Sequence, residues 1–190
     1  MTLLKKRSAR GFTLVELMIV VAIIGVLAAL AIAGVRKYML NAKTAEARNS
    51  LGTMSSLASQ VWSGEKMKGA ILKDEDVIGS THTLCLSATN TVPDDKVKIK
   101  GQKYQSSGAD KVDFHTGDTL TGWKCLGFAL DAPQYFMYNY TAATDNSKFD
   151  TIAQGDLDGD DNLSTFSRPG EIAKGEIKLS PAIIETDADE

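Results

Sequence analysis

The chain has 190 residues, 43% of them apolar, enough for one domain with a real core and too apolar for a disordered polar chain. Its net charge of -3 hides an asymmetry: residues 1–11 carry Lys5, Lys6, Arg7 and Arg10 and no acid, while the remainder holds 17 basic and 24 acidic residues, a net of -7. An acidic body argues against general nucleic-acid binding, which needs clustered Lys and Arg to displace counterions; a local basic patch is left open.

The basic start runs into Gly11-Phe12-Thr13-Leu14-Val15-Glu16, and residues 17–35 follow without one charge. As a helix those nineteen residues span roughly 28 Å, close to the hydrocarbon thickness of a bilayer. The cationic flank is expected to stay in the cytoplasm. A cleavable signal peptide is the competing reading, with Ala31-Ile32-Ala33 as an A-x-A site. Two features weigh against it. The apolar run is longer than a usual h-region, and Glu16 lies inside the apolar block, where a carboxylate costs about 2.5–3.5 kcal/mol on insertion scales.

The stretch from Arg10-Gly11-Phe12-Thr13-Leu14-Val15-Glu16-Leu17 through Ala28-Ala29 resembles the N-terminus of type IV prepilins and the related pseudopilins, without a break over twenty residues. The resemblance implies cleavage between Gly11 and Phe12 by a membrane prepilin peptidase, and N-methylation of Phe12. It also implies that Glu16, the fifth residue of the mature chain, pairs with the N-terminal amine of a neighbouring subunit. Physics agrees to this extent, that a buried charge is tolerable only when paired. One departure is Ala33, next to Gly34, where family members commonly carry a kink-forming proline. Gly25 and Gly34 each weaken a helix by about 1 kcal/mol, so a kink between them is left open.

Nothing stops the helix at Val35. Ala47, Leu51, Met54, Ala58 and Val61 recur at helical spacing, and Gly64 after Ser63 is a C-cap candidate. One helix over 12–63 would be roughly 80 Å long. Gly52 interrupts a coiled-coil reading, so the apolar face is expected to pack on a sheet of the same chain. Beyond it the pattern turns to short strands: Val112 to His115, Trp123 to Leu130, Gln134 to Tyr140, Phe149 to Ala153 and Ile172 to Leu179, with a hairpin at Asp131-Ala132-Pro133. Residues 65–110 read as a connection and 186–190 as an acidic tail.

Helix first and antiparallel strands after it give an α+β class, which is also what pilins are like. The expected organisation is a leader at 1–11, an apolar membrane and assembly helix at 12–35, and an amphipathic helix at 36–63. A connecting loop, an antiparallel sheet and a C-terminal loop region then occupy 64–190.

In an exported protein Cys85 and Cys125 most simply pair, and closing that loop would stabilise by about 4 kcal/mol on the chain-entropy model. Asp156, Asp158 and Asp160, followed by Asn162, alternate oxygen ligands in the way calcium prefers. The EF-hand reading fails because Asp161 replaces the loop glycine and Ser167 the bidentate acid; an exposed polar turn is the plainer alternative. His82 and His115 have no ligand companions in the sequence. Tyr135, Tyr138 and Tyr140 suit a strand with a buried aromatic face better than a binding platform. There is no P-loop, dinucleotide fingerprint or serine-hydrolase elbow, so no enzyme is expected and no cofactor is required, calcium excepted.

The resemblance implies a structural subunit of a homo-oligomeric, type IV pilus-like filament. It is stored in the inner membrane, processed by the peptidase and methyltransferase, extracted by an inner-membrane assembly machinery and displayed at the cell surface. The alternatives are a type II secretion pseudopilin, a minor tip pilin acting in binding or adhesion, and a soluble enzyme released after Ala33.

Overall fold

The computed structural model describes residues 11–64 and 82–187. Helix α1 runs Leu14–Ser63. It starts where Thr13 and Glu16 satisfy each other. The Thr13 N–H and hydroxyl donate to the Glu16 carboxylate at 2.8 and 2.7 Å, and the Glu16 N–H donates to Thr13 Oγ1 at 3.3 Å. This is a capping box, in which the first turn's orphan donors find side-chain acceptors. No proline interrupts the fifty residues that follow. The helix ends at Ser63, and the Gly64 N–H donates back to the Gln60 carbonyl at 3.0 Å.

By its packing the chain divides after Asn41. In the first unit the described side chains from Phe12 to Met39 are exposed, for example Phe12 at 83% and Leu30 at 67%. The expected leader, residues 1–10, lies outside the described residues, as does the Ala33 side chain. By length and composition α1 contains a stretch able to cross a membrane, and none of that stretch is buried.

In the second unit the same helix buries the face read from the sequence. Ala47, Leu51, Met54 and Ala58 are almost fully enclosed, while Val61 is only half-buried. The partner is a sheet of five antiparallel strands, β1 (Met137–Ala142), β2 (Lys148–Gly155), β3 (Ser164–Ala173), β4 (Glu176–Leu179) and β5 (Ile184–Thr186). The first four lie in sequence order, and β4 and β5 share the far edge of β3, β5 beside Thr165–Ser167 and β4 beside Gly170–Ala173. Period-two alternation puts Tyr138, Tyr140, Phe149, Thr151, Ala153 and Phe166 in the core. Ser55 Oγ meets Thr151 Oγ1 across the helix–sheet interface at 3.4 Å.

One glycine is dictated by this packing and another by a turn. A Cβ at Gly170 would stand 2.4 Å from the ring of Phe149, its cross-strand partner. Lys174 and Gly175 both have positive φ, 57° and 80°, and close the tight β3–β4 hairpin. The free edge of β1 is covered by the preceding loop, whose Val92 exchanges two backbone hydrogen bonds with Tyr138 while Ala88 donates to Tyr140. A covered edge cannot template a foreign strand.

Two expected strands are not strands. Val112 to His115 forms a 3-10 turn over Asp113–His115, with φ positive at Asp113. Trp123 to Leu130 begins as helix α2 (Gly122–Leu126) and ends at Gly127, φ 71°. Trp123 and Leu126, three apart, share a buried helical face, and Phe128 reaches the same core only after the turn. The Phe114, Trp123, Phe128 and Tyr138 rings meet there with centroids 5.1–6.4 Å apart. The alternation in the sequence comes from side chains that converge from a turn, a helix and a loop, not from one strand. Consequently Asp131-Ala132-Pro133 joins no two strands; the chain passes from it through a single bridge, Tyr104 to Gln134, into β1. The single strand expected over Ile172 to Leu179 is instead the end of β3, the turn at Lys174 and Gly175, and β4, and β3 extends back to Ser164 through Pro169. Of the expected connection, residues 65–81 lie outside the described residues.

Candidate functional site

The candidate residues do not converge on one catalytic centre. They form a helix terminus, a latch between helix and sheet, a staple and an acidic loop.

At the helix terminus, Phe12 is free of the helix and fully solvent-facing, and Gly11 has nothing within 4 Å of where a Cβ would stand. Glu16 sits one turn in, held by Thr13. The Thr-x-x-Glu signature of a capping box is present in the sequence and supplies a second, local reason for this carboxylate.

The latch is Glu46, which no sequence motif singles out. From α1 its Oε1 accepts the Tyr135 N–H at 2.9 Å and the Tyr138 hydroxyl at 3.2 Å, fixing the helix to the start of β1. Desolvation raises its pKa above the ordinary glutamate range, against the hydrogen bonds from Tyr135 and Tyr138 and the field of Lys103, which lower it. Burial likewise pushes the Tyr138 and Tyr140 hydroxyls up. Tyr140 donates to the Cys85 carbonyl at 3.2 Å, so both tyrosines serve the core. Tyr135 is half-buried, with the Lys43 and Lys103 ammoniums 4.9 and 4.6 Å from its ring centroid. A second link joins Arg48 to Glu185 of β5 through two hydrogen bonds of 2.8 and 3.0 Å.

The staple is the Cys85–Cys125 disulfide, which ties α2 to the loop that covers β1. In the β2–β3 loop, Asp156, Asp158 and Asp160 bring carboxylate oxygens within 4.8 Å of one another. Asp156 is 2% exposed and both its oxygens hold the loop's own backbone, accepting from Gly159 at 2.7 Å and Asp161 at 3.1 Å. Asp160 accepts from the Asn162 backbone and side chain. The donor set is of the hard-oxygen kind that calcium takes, yet three carboxylates fall short of six to eight ligands. His82 accompanies the end of α1, its Nδ1 2.8 Å from the Trp62 carbonyl, and His115 lies in the 3-10 turn; the two belong to separate elements.

Comparison with known proteins agrees with the helix terminus. Residues 6–32 match the prokaryotic N-terminal methylation motif. The chain is 37% identical over 87 residues to the fimbrial protein EcpC of Eikenella corrodens, covering 46% of this chain and 55% of that one. It is 60% identical over 42 residues to the type IV major pilin protein PilA of Myxococcus xanthus (strain DK1622), covering 22% and 19%. With the type IV major fimbrial protein FimA of Dichelobacter nodosus it shares 37% over 87 residues, covering 45% and 51%. The matched stretches thus span about half or less of each relative's length. No solved structure matches the chain.

Proposed function

We propose, for a chain that belongs to the type IV pilin family by its N-terminal methylation motif and its pilin and fimbrial relatives, that it is a structural subunit of a type IV pilus-like filament. In this reading the precursor is cut between Gly11 and Phe12 by prepilin peptidase and methylated on Phe12. It is held in the inner membrane by residues 12–35, and after extraction by the assembly machinery it packs against copies of itself through that same helix.

The observation that carries the reading is the exposure of the apolar half of α1. Its large side chains are exposed among the described residues, and burying each is worth about 1.5–3 kcal/mol. A bilayer covers them before assembly and neighbouring helices cover them after it. Glu16 is the only formal charge between Phe12 and Arg36. Once Gly11 is removed, the new amine at Phe12 is the cation that a neighbour brings to the same depth. Attraction between the two falls off with displacement and so sets register, which apolar packing alone does not. Two relatives bear the names major pilin and major fimbrial protein, which favours an abundant shaft subunit over a minor tip pilin or a pseudopilin.

The capping box gives the test its control. Glu16→Gln keeps the box, since glutamine also serves at that position, and removes only the charge. Both Glu16→Gln and Glu16→Ala are expected to insert and be processed, yet to leave subunits in the membrane with few filaments outside. Normal filaments from Glu16→Gln with failure of Glu16→Ala alone would assign Glu16 to capping and refute the pairing. Calcium in the β2–β3 loop belongs to the same proposal, supported by the proximity of the three carboxylates. A rise in melting temperature with calcium but not magnesium, lost in Asp158→Asn/Asp160→Asn, is the expected result; no calcium effect would remove the ion from the account.

A further inference from the structure

Away from α1 and the acidic loop, three segments of the connecting region fold around a polar cavity of about 250 Å³. Its lining draws on Asn90, Thr91 and Asp94 from the loop that covers β1, Lys98 and Tyr104 from the next segment, and Lys111, Val112 and Asp113 at the entry to the 3-10 turn. Two lining residues are tied to the aromatic core: Trp123 Nε1 donates to the Asn90 carbonyl at 3.2 Å, and Asp113 precedes Phe114 of the Phe114–Trp123–Phe128–Tyr138 cluster. We propose that this cavity is a binding site for one hexose-class sugar unit of a neutral glycan.

The chemistry of the lining selects the ligand. Asp113 is pinned through one oxygen: Oδ2 accepts the Tyr104 hydroxyl at 2.8 Å and the Ser107 N–H at 2.7 Å. Its Oδ1 makes no hydrogen bond among the described residues and is left as an acceptor on a residue that lines the cavity. The Asn90 carboxamide and Thr91 hydroxyl likewise make no side-chain hydrogen bond among the described residues, and they offer donors and acceptors together. Vicinal sugar hydroxyls, each donor and acceptor at once, match that alternation. Charge selects against ions: two carboxylates face two ammoniums, and Asp94 and Lys98 already neutralise each other. Val112, 42% exposed, gives apolar surface for the C–H face of the ring. The volume lies below the range of drug-sized sites and suits a single small ring. Lys111 and Asp113 both hold left-handed backbone, φ 62° and 48°. Such strain in non-glycine residues collects where a loop's geometry is imposed by function.

This site does not depend on the filament reading, because none of its residues lies on α1. The experiment is ligand-observed NMR on the full-length protein in detergent with glucose, galactose and N-acetylglucosamine, and with a mixture of free amino acids as the compact zwitterionic competitor. Saturable binding of at least one hexose is expected, weakened roughly tenfold in Asp113→Asn and by a similar factor in Asn90→Ala, the loss of about one hydrogen bond each. Asparagine tolerates the left-handed backbone at 113, so an unchanged melting temperature is expected to accompany the loss. Lys148→Ala on β2 serves as the unaffected control. No binding up to the solubility limit, binding of amino acids without any hexose, or hexose binding unchanged in both variants would each overturn the proposal.

Discussion

Residues 14–35 and 42–63 lie on the same α-helix, yet their side chains meet opposite surroundings. In the first stretch every described side chain is exposed although almost all are apolar. In the second, Thr44, Ala47, Leu51, Met54, Ser55 and Ala58 are enclosed, and polar residues flank them in place: Glu46 on Tyr135 and Tyr138, Arg48 on Glu185. The second stretch is amphipathic because its own sheet covers one face. The first is apolar all round, and among the described residues none of its side chains is buried. One helix thus carries two kinds of surface, one that its own sheet covers and one that, in the proposed reading, a membrane or an assembly covers.

That contrast makes stability measurements informative. The largest effect is expected from the staple of the second unit, called the head below. Cys85→Ser/Cys125→Ser should lose about 4 kcal/mol for a bridge 40 residues apart, read as a lower denaturant midpoint. Free-thiol labelling of the unreduced protein should find neither cysteine. Next, Leu51→Ala should cost about 2–5 kcal/mol in the head, whereas Ile23→Ala should change head stability by less than about 0.5 kcal/mol. Equal losses at the two positions would break the comparison. Gly170→Ala, which drives a Cβ into the Phe149 ring, should cost about 1–3 kcal/mol.

Smallest is the effect of Glu46. Its native pKa is raised, so the folded protein holds the proton more tightly than the unfolded chain does. Stability from this group is therefore full below the unfolded pKa and falls as pH rises through the native one. Glu46→Gln keeps an acceptor for the Tyr135 N–H and should flatten that slope, by less than about 1 kcal/mol for a group this accessible. A steeper fall in the variant would contradict a raised native pKa.

The same contrast explains what could be read before the fold was known. Periodicity located the second half of α1, the buried aromatics of β1 and the core of β2, because one element covers one face in each. It failed at Phe114, Trp123 and Phe128, whose common core is assembled from a turn, a short helix and a loop, so no single period describes them. Pro169 and Gly170 hid the middle of β3, and their place is intelligible only from the register with Phe149 and the switch of partner from β5 to β4. At the candidate site, the charge pattern exposed Glu16 and the acidic loop. Glu46 escaped notice because its partners lie 89 and 92 residues away. Thr13 and Glu16 carry a capping-box signature in the sequence itself, a local role for the carboxylate that stands beside its cost in an apolar run.

The central claim is that residues 12–35 are retained in the mature protein because neighbouring subunits need them. Intact mass and N-terminal sequencing of the mature protein test it most directly. The account predicts a single species beginning at N-methylated Phe12, with the whole apolar helix kept. A mature chain beginning at Gly34 would show that the apolar half is a discarded signal, and would contradict the filament reading outright.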